Sequence, residues 1–540
     1  MENFDSKSGF NSSSRTFHSL RPSLNLPPPH APLSAPHYAL SLRRKSPWPD
    51  SLSAVVDSAS AHRVSYSDFI HFSQNLASNL YSLIGLSKGD TAFILSPNLT
   101  KIPILYFALL SLGVVVSPAN PIATRAEISH LFDLSAPVIA FAASSAAHKL
   151  PKTLRLGVIF IDSPEFDLLM TTERVVIPRA EVSQSDVAAI LYSSGTTGKV
   201  KGVILTHRNL IASAASYDAT RRERERPAVF LYAVPYFHVY GFTYCLRAVA
   251  LSETVVVMER YSLGKMLRAV EEFGVTHLAV VPPLVMAMTK GDVTDGYDLR
   301  SLEGIVCGAA PIGKDTVASF KSKFPRVFFV QGYGLTESTA SIFRTIGEVE
   351  TNKAGTTGKL VSEIEAKIVD PLTGRAMSPG EQGELWIRGP LIMKGYVGDA
   401  EATSGTLVDG WLKTGDLCYI DNEGFLYVLD RLKELIKYKG YQVAPAELEH
   451  LLQSHPEIND AAVIPYPDEE AGQVPLAFVV RRRHSSIGEA DILDFVAKQV
   501  APYKKIRRIV FVDSIPKNAA GKTLRKELNK FVLQQSLSKL

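Results

Sequence analysis

The densest concentration of chemistry-bearing residues is Ser193-Ser194-Gly195-Thr196-Thr197-Gly198-Lys199-Val200-Lys201-Gly202, directly after the apolar stretch VAAILY. Small residues let backbone N–H groups approach an anion closely, and the four hydroxyls and two lysines add further donors. This is the composition of a phosphate cradle. It is not a Walker A loop, which needs four residues between its first Gly and Gly-Lys, whereas two separate Gly195 from Gly198. A second glycine cluster, Gln331-Gly332-Tyr333-Gly334-Leu335-Thr336-Glu337, also follows an apolar run. Glu337 stands where a dinucleotide fingerprint needs its third Gly. The segment offers instead an aromatic face for a base, a hydroxyl, and a carboxylate suited to Mg²⁺. His238, in PYFHVYGF, has apolar company and reads by spacing alone as a packed core residue.

One G-x-S-x-G match, Gly85-Leu86-Ser87-Lys88-Gly89, raises a serine hydrolase as an alternative. A nucleophile elbow runs from strand to helix. Here a helical pattern (NLASNLYSLIG) precedes and a strand pattern (TAFILS) follows, which favours a plain helix-to-strand turn. The sequons at Asn11 and Asn98 carry no information in a chain without a secretory signal.

The elements that must position these residues alternate. Strand-like runs at Val187–Tyr192, Val229–Val234, Thr254–Met258, Val275–Val281, Gly304–Ala309 and Val327–Val330 are separated by helix-length segments such as Ser262–Phe273 and Lys314–Phe324. That alternation predicts α/β layers with largely parallel sheets. The expected fold is a large N-terminal domain of layered α/β sheets plus a β-rich subdomain, with a small mobile α+β C-terminal domain. The expected boundaries are an irregular segment over 1–50, the large domain over 51–432 with its β-rich part over 355–432, and the last domain over 433–540. The charge runs Arg221–Pro227 and Arg481–Arg483 read as solvated loops.

With 540 residues, the chain exceeds what one core supports. Hydrophobic residues make up 46%, which excludes wholesale disorder. A net charge of +4 without clustering argues against a nucleic-acid partner. The three cysteines form no CxxC pair, which points to a reducing compartment. The longest apolar stretch, Leu105 to Val116, is too short for a membrane span. The terminal tripeptide Ser538-Lys539-Leu540 has the form of a peroxisomal address read by an import receptor.

Taken together, YSSGTTGKVKG, PYFHVYGF, QGYGLTE, GELWIRGP, WLKTGD, VLDRLKELIKYKGYQVAPAELE and PKNAAGKTLRKEL resemble the adenylate-forming acyl-CoA ligase superfamily, most closely its plant 4-coumarate–CoA ligase-like branch. The resemblance implies a two-step reaction with ATP, CoA, a small-molecule carboxylic acid and Mg²⁺: acyl-adenylate formation, then transfer of the acyl group to CoA. It implies that Ser193–Lys199 bind the ATP phosphates and that Gln331, Gly332, Tyr333, Gly334 and Thr336 bind the nucleotide, with Tyr333 on adenine. Glu337 would be the Mg²⁺ ligand, and Asp416 and Arg431 would hold the ribose. Lys522 would be the adenylating lysine, Lys433 the hinge, and Lys437 mainly a thioester-step residue in one segment with Gln442. CoA would meet Lys439 and Gly440. His238 would gate an acyl pocket lined by Val239, Tyr240, Thr243, Ala279, Val306, Gly308, Ala309, Gly332, Gly334, Ala340, Ser341 and Ile342.

True 4-coumarate ligases usually carry Asn at Thr243, Lys at Val306 and Pro-Val-Leu at Ala340–Ile342. An apolar pocket lacking that Lys, with the peroxisomal tail, favours medium or long fatty acids, jasmonate-precursor alkanoic acids or unsubstituted cinnamate. The alternatives within the family are a 4-coumarate/cinnamate ligase of phenylpropanoid metabolism and a luciferase-like adenylating oxygenase.

Overall fold

The computed structural model describes residues 3–151, 154–173, 181–193, 200–290, 292–310, 312–438, 441–518 and 521–537. Their strands form four sheets. The first runs Gly395–Tyr396, Lys201–Thr206, Val187–Ser193, Val115–Ala119, Thr91–Leu95, Ile139–Ala142, Val158–Phe160. The second contains Ala340–Arg344, Phe328–Leu335, Gly304–Cys307, His277–Val280, Val229–Tyr232, Thr254–Val257 and Ser53–Asp57 in that order. Pairing from Ser53–Asp57 through Phe328–Leu335 is parallel, and the strands are continuous Val/Ile/Leu runs, as sheets covered on both faces require. The helix Lys101–Ser111 (KIPILYFALLS) is apolar around most of its circumference and accordingly buried from Ile102 to Leu110.

A third, antiparallel sheet joins Glu365–Val369, Gly383–Arg388, Trp411–Ile420 and Leu426–Arg431. From Ile436 onward a fourth sheet, Tyr441–Val443, Ile436–Tyr438, Gly472–Arg481, Ile458–Asp468 with Arg508–Phe511, builds its own apolar clusters around residues such as Leu448, Val479 and Phe478. These C-terminal residues dock on the rest: Ala446 N–H donates to Asp430 Oδ2 at 2.9 Å, and Lys290 Nζ to Asn459 Oδ1 at 2.6 Å.

Three local expectations change. Residues 1–50 are not irregular, because Phe10–Asn11 and Thr16–His18 extend the antiparallel sheet and Ala35–Arg43 is a helix capped by Ser34. Strands this short carry no periodicity; they exist because Phe17 pairs with Ala366 and is fully buried. The strand expected over Val327–Val330 runs on through the second glycine cluster to Leu335, held by antiparallel pairing of Tyr333 with Phe343. Nor is Arg221–Pro227 wholly solvated: Arg224 Nη2 donates to Glu303 Oε1 at 2.7 Å, and Arg222 covers the Phe328 ring.

The G-x-S-x-G segment is a turn. Gly85, with φ 78°, ends a π-helical turn, Ser87 N–H donates to Asp90 Oδ2 at 2.9 Å, and the strand Thr91–Leu95 follows. No helix among the described residues is long and apolar enough to cross a membrane.

Candidate active site

The two glycine-rich segments meet. Ser193, at the end of its strand, donates from Oγ to Glu337 Oε1 at 2.8 Å. Thr336 and Glu337 form a one-turn 3₁₀ helix beyond Leu335, both largely buried. Tyr396 OH donates to the same Glu337 oxygen at 3.1 Å, and Lys201 Nζ lies 4.6 Å from the Tyr396 ring centre. The rest of the expected cradle, Ser194 to Lys199, lies outside the described residues, as do Lys439, Gly440 and the tail Ser538–Leu540.

Tyr333 OH donates to Asp416 Oδ2 at 2.5 Å, and Arg431, paired with Asp416 across adjacent strands, brings Nε to 3.5 Å from Oδ1. Burial raises the Asp416 carboxyl, while Arg431 and the Tyr333 hydroxyl oppose that rise. Gln331 is buried on the same strand as Gly332, Tyr333 and Gly334, and its backbone N–H donates to Thr345 Oγ1 at 3.0 Å.

Lys522 comes from the C-terminal sheet's side into this group. Its loop turns at Gly521, φ +74°, where a Cβ would stand 3.2 Å from Pro283 atoms. A side chain there would be strained and would lift the loop off the large unit. Asn518 clamps the turn, accepting at Oδ1 from Lys522 N–H and donating from its own N–H to the Lys522 carbonyl, both at 2.9 Å. Burial first, then repulsion from Arg431, lowers the Lys522 ammonium to about 8; Glu434 and Asp416 pull the other way. Lys433 is lowered for the same leading reason. Lys437 is exposed on Ile436–Tyr438. Gln442 pairs with Lys437 through backbone; its side chain, like that of Ala340, is not described.

His238 caps the helix Val239–Leu251, accepting from Tyr240 N–H at 3.4 Å. Gly241 makes this possible, since a Cβ there would sit 2.2 Å from the Pro235 carbonyl oxygen. Burial, then the nearby Lys522 charge, lowers the imidazole to about 4, so it is neutral at pH 7. From His238 a cavity of about 570 Å³ extends into the protein. Of the residues named for an acyl pocket, Val239, Tyr240, Val306, Gly308, Ala309, Gly332, Gly334 and Ser341 line it. Thr243, Ala279 and Ile342 do not: each is fully or almost fully buried, and the Thr243 hydroxyl bonds the Val239 carbonyl at 2.8 Å.

Four residues escaped the sequence reading. Tyr396 supports Glu337. Asn98, set aside as a sequon, donates to the Val234 carbonyl and accepts from Tyr236 N–H, fixing the loop before His238. Arg247 and Arg344 line the cavity. Their signal was present: each is a lone arginine in an otherwise apolar helix or strand, and such charges are rarely buried without a partner or a task.

Among the described residues no group of three or more His, Cys, Asp or Glu could hold a metal. One carboxylate beside a hydroxyl, as in Glu337 with Thr336, suits Mg²⁺ that shares its oxygens with substrate phosphates. All three cysteines are free and buried, and burial raises their thiols, so none is a nucleophile.

Layered α/β sheets, an antiparallel sheet and a small C-terminal unit that delivers a lysine to an aspartate–arginine pair beside an acyl-sized cavity define an adenylate-forming ligase. Sequence comparison agrees: the AMP-binding enzyme family profile matches residues 44–397, that of the AMP-binding enzyme C-terminal domain matches 447–522, and the chain belongs to this family. It is 51% identical to 4-coumarate–CoA ligase-like 9 of Arabidopsis thaliana, over 99% of this chain and 98% of that one. Peroxisomal OPC-8:0-CoA ligase 1 of the same plant is 42% identical over 99% of this chain and all of its own length. Among solved structures, o-succinylbenzoate–CoA synthetase from Bacillus subtilis with ATP and a magnesium ion superposes with a TM-score of 0.78 at 29% identity, covering 91% of this chain and 99% of that one. The chain is thus an ATP-dependent acid–thiol ligase of the 4-coumarate–CoA ligase-like family.

Proposed function

We propose that the chain activates medium or long fatty acids, or jasmonate-precursor alkanoic acids, as CoA thioesters in peroxisomes. The carrying observation is that Lys522, neutral His238 and the Asp416–Arg431 pair converge at one end of a largely apolar-lined cavity. An acid lying in the cavity presents its carboxylate there, past His238. In the first step a carboxylate oxygen attacks the α-phosphorus of ATP, and the bond to the β-phosphate oxygen breaks to release pyrophosphate. Two anions must meet, and the Lys522 ammonium between them offsets their repulsion and the charge that grows in the transition state. Tyr333 lies beneath adenine, Asp416 and Arg431 take the ribose hydroxyls, and the Ser193–Lys199 segment holds the outer phosphates. Glu337 would hold Mg²⁺ jointly with the ATP phosphates, and that ion supplies charge neutralisation there.

In the second step the CoA thiol sulfur bonds the acyl carbon, and AMP leaves with its phosphate. Rotation of the C-terminal unit about Lys433 withdraws Lys522 and brings Lys437, Lys439 and Gly440 toward the thiol.

The substrate class rests on Val306 at the position where 4-coumarate ligases place Lys, and on the relative named for OPC-8:0. That relative's peroxisomal name and the Ser538–Leu540 tail support the compartment and the import receptor as partner. Purified protein with ATP, Mg²⁺, CoA and a panel of alkanoic acids, cinnamate and 4-coumarate is the test, following AMP release with and without CoA. CoA-stimulated release with alkanoic acids is expected; a preference for 4-coumarate overturns the substrate class. A fluorescent fusion lacking Ser538–Leu540 should stay in cytosol, and unchanged organelle targeting overturns the compartment.

A further inference from the structure

The acyl cavity does not stay apolar to its end. Arg247 and Arg344 both line it, with Tyr217 between them: the guanidinium carbons lie 5.0 and 4.3 Å from its ring centre. Arg247 also lies over Phe230 and Tyr244 at 4.4 and 4.8 Å. Its Nη2 donates to Glu253 Oε1 at 2.8 Å, while Nε and Nη1 find no hydrogen-bond partner among the described residues. Arg344 Nη2 donates to the Ser216 carbonyl at 2.6 Å and Thr220 Oγ1 at 2.9 Å; its Nη1 is likewise without a partner among them. The aromatic rings explain how these guanidiniums are held, but they leave charged donors unsatisfied in a buried place, which interiors rarely tolerate without a reason.

Two independent elements set the depth of this wall. Arg247 stands nine residues along its helix from His238, an axial rise of ~13.5 Å. Arg344 stands four residues along its strand from Ala340, which pairs with Leu335 beside Thr336-Glu337; that strand distance is also ~13.5 Å. Helix and strand therefore carry their arginines to the same distance from the reacting end. With C–C bonds near 1.5 Å, an extended chain of about ten bonds covers it.

We propose that Arg247 and Arg344 receive a hydrogen-bond-accepting oxygen near the far end of the acyl chain. The preferred acids then bear a carbonyl or carboxylate about ten bonds from the reacting carboxyl. Apolar walls with a few placed polar groups are how small-molecule sites fix orientation. The proposal rests on the acyl group lying in this cavity, as argued above.

The test compares kcat/KM for dodecanoic, 11-oxododecanoic and dodecanedioic acids. The oxo acid, the diacid or both should exceed dodecanoic acid by roughly 10- to 100-fold, the value of a hydrogen bond to a charged donor. A lead for the oxo acid assigns a neutral carbonyl, and a lead for the diacid a carboxylate. Dodecanoic acid matching or exceeding both overturns the proposal. Arg344→Met, and the double variant Arg247→Leu/Glu253→Leu that leaves no unpaired carboxylate, should bring the ratio near one. Should the double variant fail to fold, Arg247→Lys replaces it. An unchanged ratio in the folded variants overturns the proposal. AMP release with none of the acids would instead overturn the placement of the acyl group.

Discussion

Tyr396 donates its hydroxyl to Glu337 Oε1 at 3.1 Å across 59 residues, from a two-residue strand that pairs with Val203 and Ile204. Ser193 donates to the same oxygen, so the carboxylate is oriented from two sides. The ring beneath Lys201 fixes the phenol in turn.

Tyr396→Phe keeps the ring and removes the hydroxyl. Ordering of Glu337 among the described residues then rests on Ser193, and the Mg²⁺ concentration for half-maximal activity should rise about tenfold with little change in thermal stability. Titrating Mg²⁺ at saturating ATP checks this; an unchanged midpoint would refute the positioning role.

Lys522→Ala should reduce pyrophosphate release by at least ~10³-fold, the scale for one preorganised charge at a transition state. The same variant should still convert a supplied acyl-adenylate with CoA. Lys437→Ala should show the reverse pattern. Separate half-reaction assays measure both.

Lys522 has its ammonium lowered to about 8 in the free protein, chiefly by burial. The charged form is the useful one, so kcat/KM for ATP should fall as pH rises through about 8. Bound phosphates favour the ammonium, so the limb in kcat should lie at higher pH. Overlapping limbs would contradict the proximity of Lys522 to the nucleotide.

His238, His207 and His277 are each lowered, chiefly by burial, to about 4, 4 and 3. Between these values and 6.5 the unfolded chain binds more protons than the folded one. Stability is therefore lost as pH falls through that window, by up to ~1.4 kcal/mol per pH unit for each histidine. Thermal melts from pH 7 to 4.5 should show it, and His277→Gln should flatten the slope.

Contiguous segments were the legible part of this molecule. Ser193, the Gln331–Glu337 segment, and Asp416 with Arg431 stand in runs whose order in the chain is their order in space. Buried strands were equally plain, because parallel pairing demands unbroken β-branched stretches. Less legible was anything defined by a distant partner. Tyr396 acquires its task only where Glu337 arrives, and Thr243, Ala279 and Ile342 face cores because helix and strand rotation, not linear position, decides which side chains reach the cavity. Arg247 and Arg344 needed the third dimension to become neighbours of one tyrosine.

The pairing of Phe17 with Ala366 also orders events during synthesis. The strand Thr16–His18 cannot take its place in the sheet until Glu365–Val369 has been made, and by then both layered sheets have most of their strands. Phe17 therefore waits through the synthesis of ~350 intervening residues for the partner that buries it, and pairing across so long a loop places its strand among the later ones to settle.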